Sequence, residues 1–281
     1  MLRIIKMQGG LGNQMFEYAF YLALKKKSPF YFYSLDLLDS WFAHNGYEIF
    51  KTFTNLKYKS YKFFRRQRKF YNQFFTKNLF SYIIEDKKYY GKYNKIYFNN
   101  CHPFTIYDGY WQSELYFNNV KEKIREVFRF NTNRLNIKSS EALNKILTSN
   151  SVSIHIRRGD YLDHSEHFGN ICTLDYYHAS VKYIQNREMN LVYFIISDDP
   201  DWARENFKIE NSVYVDWNKA DDSWQDMCLM TYCNHNIIAN SSFSWWGAWL
   251  NKNPNKIVIA PKKWSNYWEL IDTVPSIWIR L

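Results

Sequence analysis

Cysteine is scarce in this 281-residue chain. Cys101, Cys172, Cys228 and Cys233 form no CxxC pair and no zinc-type spacing, and four thiols at this length make no disulfide framework. A reducing cytoplasm is the setting they imply. Glycine and proline are also few, nine and six, and the chain carries neither an internal repeat nor a low-complexity linker. No apolar run approaches the roughly 18 residues that a spanning helix needs, and the apolar start MLRIIKM is too short for a secretory signal. A soluble protein, or one peripheral to the inner face of the cytoplasmic membrane, is expected.

What is present is apolar and cationic. A hydrophobic content of 46% allows a substantial core, in one large domain or two modest ones. Aromatic residues make up 20%, with 24 tyrosines and 11 tryptophans; such rings stack on sugars or bases, but most fill cores and clefts. The formal charge of +10 favours anionic partners, whether nucleic acid, a phosphorylated small molecule or an acidic membrane.

Hydrophobic periodicity orders the two ends of the chain better than its middle. LRIIKM, Leu2 to Met7, reads as a buried strand; QGGLGNQ follows as a turn, and Met15, Tyr18, Ala19, Leu22 and Ala23 recur at helical spacing. From Ser40 to about Asn100 no period survives. Thr105 to Tyr110 resembles a strand, Ser113 suits the cap of a helix running to about Val127, and another helix is expected over Ser140 to Leu147. After Asn150 strands and helices alternate: SVSIHI, LVYFIIS, SVYVDW, NIIA and KIVIA are separated by helical segments, which predicts a parallel sheet covered on both faces. The polar stretch NTNRLNIKSS suggests a boundary, giving domains 1–138 and 139–281.

Parallel sheets bind ligands beyond the carboxyl ends of their strands, so HIRRGDY, SDDPDW and ANSSFSW are expected to line one crevice. Arg157 and Arg158 present planar, permanently charged forks that suit a diphosphate, although one could instead form a salt bridge with Asp160. Ser241 and Ser242 open a helix whose amide dipoles attract anions; the bland reading is a helix cap, with Trp245, Trp246 and Trp249 packing. Asp199-Pro200-Asp201 could mimic a metal-binding DxD, or start a helix with Asp199 as cap. The loop Gly9, Gly10, Leu11, Gly12, Asn13, Gln14 is neither GxGxxG nor a P-loop, and reads as close approach to a ligand or as a bare tight turn. His164 and His167 lack a third zinc ligand and are more often solvated. Lys57 to Phe75 interleaves basic and aromatic residues, suited to nucleic acid, to lipid headgroups or simply to solvent.

Taken together, GGLGNQMFEYAF, GYWQS at Gly109 to Ser113, HIRRGDY, SDDPDW and CNHNIIANSSFSWWGAWL resemble the α1,2-fucosyltransferases of glycosyltransferase family 11, in order and over residues 8–250. The resemblance implies an α/β, GT-B-like fold of two Rossmann-like domains. Residues 1–138 would serve the acceptor, and 139–281 would bind GDP-fucose in a parallel sheet facing the interdomain cleft. It implies metal-free, cofactor-free, inverting transfer of L-fucose from GDP-β-L-fucose to the 2-hydroxyl of a terminal galactose, in a glycan such as an O-antigen or an oligosaccharide. Arg157 would contact the β-phosphate, assisted by Arg158, with His155, Asp198, Asn234, His235, Ser241, Ser242 and Phe243 around the donor. Asp160 and Glu17 are the candidate bases. The partners are then GDP-fucose and a galactose-terminated acceptor, not nucleic acid, with peripheral contact to an anionic membrane kept open. The rival readings are an enzyme for another GDP-sugar, or a non-enzymatic protein that binds RNA or an anionic membrane.

Overall fold

The computed structural model describes residues 2–37, 46–58, 80–85, 91–163 and 165–281. The chain divides into two compact units, Met1–Arg129 with Ile271–Thr273, and Phe130–Leu270 with Val274–Leu281. The division falls ahead of the 138/139 boundary read from the polar stretch. Phe130 stacks on Trp224 with centroids 6.1 Å apart, and the Asn136 backbone N–H donates to Gln225 Oε1 at 2.9 Å, so this stretch packs on the second unit.

The first unit is built on four parallel strands in the order β2-β1-β4-β3: β1 Leu2–Met7, β2 Phe32–Leu37, β3 Phe80–Ile84 and β4 Phe104–Asp108. The helix Leu11–Lys27 follows β1 as its spacing predicts, and buries Met15, Tyr18, Ala19 and Ala23. Part of the aromatic richness goes into this core. Phe20 stacks on Trp111 at 4.3 Å and meets the edges of Tyr107 and Tyr116 at 5.6 Å. Such pairs add about 0.5–1.5 kcal/mol each to the gain from area burial. Ser113 caps as expected, but it opens a 3₁₀ turn, Glu114–Tyr116, and the α-helix itself covers only Lys121–Val127. Strand β3 lies in the stretch without period, because Tyr82 and Ile84 are exposed apolar residues on the outward face of an edge strand.

The second unit holds six parallel strands in the order β10-β9-β8-β5-β6-β7. They are β5 Asn150–Ile156, β6 Leu191–Ser197, β7 Ser212–Val215, β8 His235–Ile237, β9 Val258–Ala260 and β10 Ile279–Arg280. The first five are those read from the alternation. Residues 151–156 of β5 are buried throughout because helices cover both faces. Successive residues of β6 divide between two cores. Tyr193 and Ile195 join Tyr177 and Val181 of the helix Leu174–Gln185; Phe194 and Ile196 join Leu143 and Ile146 of the helix Ile137–Leu147 and Leu229 of the helix Trp224–Tyr232. The strand order is that of a doubly wound sheet, and it reverses direction between β5 and β8.

One polar network in this unit titrates. Asn218 Nδ2 donates to Asp226 Oδ1 at 2.7 Å, and Asn218 Oδ1 accepts from Asn136 Nδ2 at 2.8 Å. Burial pushes the Asp226 carboxyl up to about 8, against the opposing effect of the Asn218 bond. The folded chain therefore keeps a proton that the unfolded chain has released. Stability from this group is greatest below the ordinary carboxylate value and falls as pH rises toward 8. Asp226→Asn is expected to raise the melting temperature at pH 8 by a few degrees, for a gain of about 1–2 kcal/mol, with the gain shrinking toward pH 4. Thermal scans showing an equal shift at both pH values would reject this account.

Candidate active site

In a doubly wound sheet the ligand crevice opens beyond the strands that flank the reversal. Here these are β5, which leads into Arg157 and Arg158, and β8, which leads into Asn240, Ser241 and the helix Ser242–Leu250. Strand β6 adds Asp198 and Asp199 beside β5. The three sequence segments thus end on the same edge of one sheet.

Each arginine meets an aspartate of the β6 tip. Arg157 Nε lies 3.2 Å from Asp198 Oδ2, and Arg158 Nε lies 3.3 Å from Asp199 Oδ2. Asp198 Oδ1 accepts the Arg158 backbone N–H at 2.8 Å, a contact that needs glycine at 159: a Cβ there would stand 2.9 Å from Asp198 Oδ2. The Arg158 guanidinium also lies 4.0 Å over the Trp202 ring. Partly exposed ion pairs of this kind stabilise by about 0–1 kcal/mol, so their effect is to aim the side chains rather than to hold the fold. Arg158 is built into the loop, with Asp199 on one side and Trp202 on the other. Asp199 Oδ1 also caps the helix Pro200–Asn206 by accepting the Trp202 N–H at 3.3 Å, which is the cap reading of Asp199-Pro200. Among the described residues no group of three or more His, Cys, Asp or Glu side chains is placed to hold a metal ion.

The opposite wall is rigid. Ser241 Oγ accepts the Phe243 N–H at 3.3 Å, while Trp245, Trp246 and Trp249 are buried against one another, so the tryptophans pack as the bland reading has it. Asn240 is buried; its side-chain amide donates to the carbonyls of Phe168 and Trp264, and its backbone carbonyl accepts the Tyr161 hydroxyl at 2.8 Å. His155 lies on β5 with its ring 5.7 Å from that of Phe243. Burial, reinforced by the Arg157 charge, pulls its value down to about 3, so the imidazole is neutral; its Nδ1 has no partner among the described residues.

Two donor candidates fall elsewhere. Asn234 bonds to Ser151 at the start of β5, and His235 opens β8, where its Nδ1 accepts the Ile257 N–H at 3.0 Å. Both stand at the amino ends of the strands, opposite the Arg157 edge, and are occupied in holding strand starts. Ligand contacts in such a sheet lie beyond the carboxyl ends of the strands, so the amino-end position of both residues argues against a nucleotide contact. Asp160 is the second residue of the short helix Gly159–Asp163, and its side chain lies outside the described residues, as do His164 and the segment 59–75. His167 is no solvated histidine, since it stacks on Trp268 with centroids 5.5 Å apart.

In the first unit, the strand ends carry carboxyls rather than cations. Gly9 (φ +73°) turns the chain tightly, and a Cβ there would strike Asn13 at 2.5 Å. Gly10 is the residue before the helix Leu11–Lys27, whose Gly12 lies buried in the first turn. Gln14 bonds to the carbonyls of Gly9 and Gly46, and the Leu11 N–H donates to the Glu48 carboxylate at 3.2 Å. The loop is a buttressed turn whose helix start already faces an anion, a poor setting for phosphate.

Around that turn Gln8 bridges two acids. Its backbone N–H donates to Glu17 Oε2 at 2.9 Å and its amide reaches Asp108 Oδ1 at 3.4 Å. Asp108 Oδ2 is clamped by Lys6 Nζ and the Tyr82 hydroxyl, each at 2.5 Å. Glu17 is fully buried, and burial holds its carboxyl protonated well above the ordinary range, with Asp108 and Glu85 pushing the same way. Tyr110 of GYWQS is raised to about 12 by burial and by the same three carboxyls. Sequence reasoning named Glu17 but missed Asp108, Glu85, Lys6 and Tyr82. The available signal was that Asp108 ends a strand immediately before GYWQS.

Residues 2–272 match the family model described as Glycosyl transferase family 11. An alpha-1,2-colitosyltransferase of Escherichia coli is 35% identical, over 99% of this chain and 98% of its own. Galactoside alpha-(1,2)-fucosyltransferase 1 of Saimiri boliviensis boliviensis is 26% identical, over 53% of this chain and 43% of its own. Among solved structures, NodZ alpha-1,6-fucosyltransferase soaked with GDP-fucose has the same fold at a TM-score of 0.52, with 12% identity, over 89% of this chain and 92% of that one. With two parallel-sheet units, that likeness gives a GT-B-type α/β fold.

Proposed function

The chain belongs to glycosyl transferase family 11, and on that premise we propose that it moves L-fucose from GDP-β-L-fucose to the 2-hydroxyl of a terminal galactose, with inversion and without a divalent ion. The observation that carries this reading is the pairing, at one strand-order reversal, of Arg157 with the dipole-bearing start of the helix Ser242–Leu250. In transfer, the galactose oxygen bonds to the anomeric carbon as the bond from that carbon to the β-phosphate oxygen breaks. Negative charge grows on the departing diphosphate, and fixed donors aimed at it lower the barrier.

In this reading Arg157 exchanges its Asp198 contact for the β-phosphate, while Arg158 holds the loop. Ser241, Ser242 and the first amides of their helix meet the same phosphates, and neutral His155 and Phe243 line the nucleoside side, with Asp198 as a further contact to ribose or base. The second domain is then the donor domain and the first serves the acceptor. The acceptor proton passes to a base, for which Asp160 and Glu17 are the candidates; Glu17, protonated through burial, qualifies only once a bound ligand lowers its value. Asp108 joins them as a hydroxyl acceptor on the acceptor side.

A second donor is supported by the 35% identity to a colitosyltransferase: GDP-colitose, whose sugar is fucose without the 3-hydroxyl. Incubation of the protein with each GDP-sugar and a panel of galactose-terminated glycans, with the product linkage read by NMR, tests both. Expected is α1,2-fucosyl product, formed at an undiminished rate in excess EDTA. Preference for GDP-colitose would change the donor, a strict need for Mn²⁺ or Mg²⁺ would return Asp199 and Asp201 to a metal role, and absence of transfer from either sugar would end the proposal.

A further inference from the structure

The helix Leu11–Lys27 ends in three consecutive lysines, Lys25, Lys26 and Lys27, all exposed. After Ser28 and Pro29 the chain projects Phe30 and Phe32, which are 94% and 70% exposed. Lys27 Nζ lies 3.4 Å from Asn99 Oδ1 and 5.0 Å from the Phe98 ring centre, drawing in the turn that carries exposed Lys95 and the 63% exposed Ile96. Among the described residues none of these lysines forms an ion pair with a carboxylate. One basic side chain would complement the helix dipole, and a lone exposed phenylalanine is ordinary on a protein surface. Four exposed lysines beside three largely exposed apolar side chains exceed both needs.

We infer that this face docks on an anionic lipid bilayer, the lysines over the headgroups and Phe30, Phe32 and Ile96 dipping into the interface. Bare phenyl rings standing in water gain free energy by entering an apolar medium, and each basic residue near an anionic surface adds to the attraction. No helix among the described residues is long and apolar enough to cross a membrane, so attachment of this kind would lie on the surface. The face is at the amino ends of the first unit's strands, where Phe32 begins β2, whereas Asp108 and Glu85 stand at the carboxyl ends. Docking and chemistry are therefore separable within that unit, and the inference does not depend on the donor or acceptor proposed above.

Sedimentation of the full chain with phosphatidylcholine vesicles, with and without phosphatidylglycerol, tests it. The protein is expected to pellet only with the anionic vesicles and to be released by high salt. Phe30→Ser with Phe32→Ser is expected to weaken partitioning at least about tenfold. Lys25→Gln with Lys26→Gln should weaken it about fivefold for each charge removed. Both variants should keep wild-type melting temperatures and wild-type transfer to a soluble acceptor. An independent readout is Phe30→Trp, whose added emission should be quenched by brominated phosphatidylglycerol. A wild-type protein that stays in the supernatant, a double phenylalanine variant that pellets like the wild type, or lysine variants that lose affinity for a short RNA but not for vesicles would each overturn the inference.

Discussion

Arg157→Ala is expected to reduce kcat/KM for fucosyl transfer by about a thousandfold or more, while the melting temperature moves by no more than a few degrees. The catalytic part follows from what the guanidinium would do: fixed donors and charges aimed at a departing oxyanion contribute about a hundredfold to a thousandfold each, and arginines on transferring phosphates more. The stability part follows from its surroundings. The side chain is a quarter exposed and its ion pair with Asp198 is of a class worth about 1 kcal/mol at most. Arg157→Lys should recover only part of the loss, because an ammonium supplies charge without the planar fork. Arg158→Ala should behave differently. Removing a side chain that sits on Trp202 and bonds Asp199 should cost stability as well as activity, the loss in kcat/KM being smaller than at 157. Turnover of GDP-fucose by Arg157→Ala at the wild-type rate, in a galactoside assay, would remove the residue from the mechanism.

The second unit was legible because its physics is local. A strand buried on both faces reads as a continuous apolar run, a Pro after Asp199 marks a helix start, and Ser241 marks another; once strands alternate with helices, the sheet's carboxyl edge follows without any long-range knowledge. The family resemblance, not this local logic, set Asn234 and His235 around the donor; they sit beside a motif in sequence but at the amino end of β8 in space. The first unit resisted because its organising contacts join distant residues. Lys6 meets Asp108, Gln112 Nε2 meets Asn13 Oδ1 at 2.8 Å, and Glu85 meets the backbone of GYWQS, pairs that no periodicity announces. Its edge strand β3 exposes Tyr82 and Ile84 and so lacks the polar outer face that marks a strand. Aromatic abundance misled in a milder way: several rings that could have stacked on sugars interlock around Phe20, and Trp245, Trp246 and Trp249 pack on one another in the second unit.

Glu85 provides the sharpest test of that hidden organisation. It is 2% exposed, and its Oε2 accepts two backbone N–H groups, from Tyr110 at 2.8 Å and Trp111 at 2.9 Å. The neighbouring Gly109 makes room for it, since a Cβ there would lie 2.4 Å from Glu85 Cβ, and Trp111 holds a left-handed φ of 55° while its ring fills the core. Glu85→Ala leaves the buried Trp111 donor and the part-buried Tyr110 donor without an acceptor; at about 1–3 kcal/mol for a buried donor and less for the other, a loss of about 2–4 kcal/mol is expected, with the melting temperature falling by roughly 5–15 °C. Glu85→Gln keeps an oxygen where both amides point and should cost about 1 kcal/mol or less. Burial also raises the Glu85 carboxyl above its ordinary value against its backbone bonds, so the folded state retains its proton longer than the unfolded one, and this group's contribution declines as pH rises through that interval. Glu85→Gln should flatten that decline. Denaturation of the wild type and both variants at pH 5 and pH 8 decides the matter: equal destabilisation by Ala and Gln would mean that the carboxyl does not organise GYWQS, whereas a large alanine effect with a near-neutral glutamine identifies it as the acceptor on which the Tyr110–Trp111 turn is built.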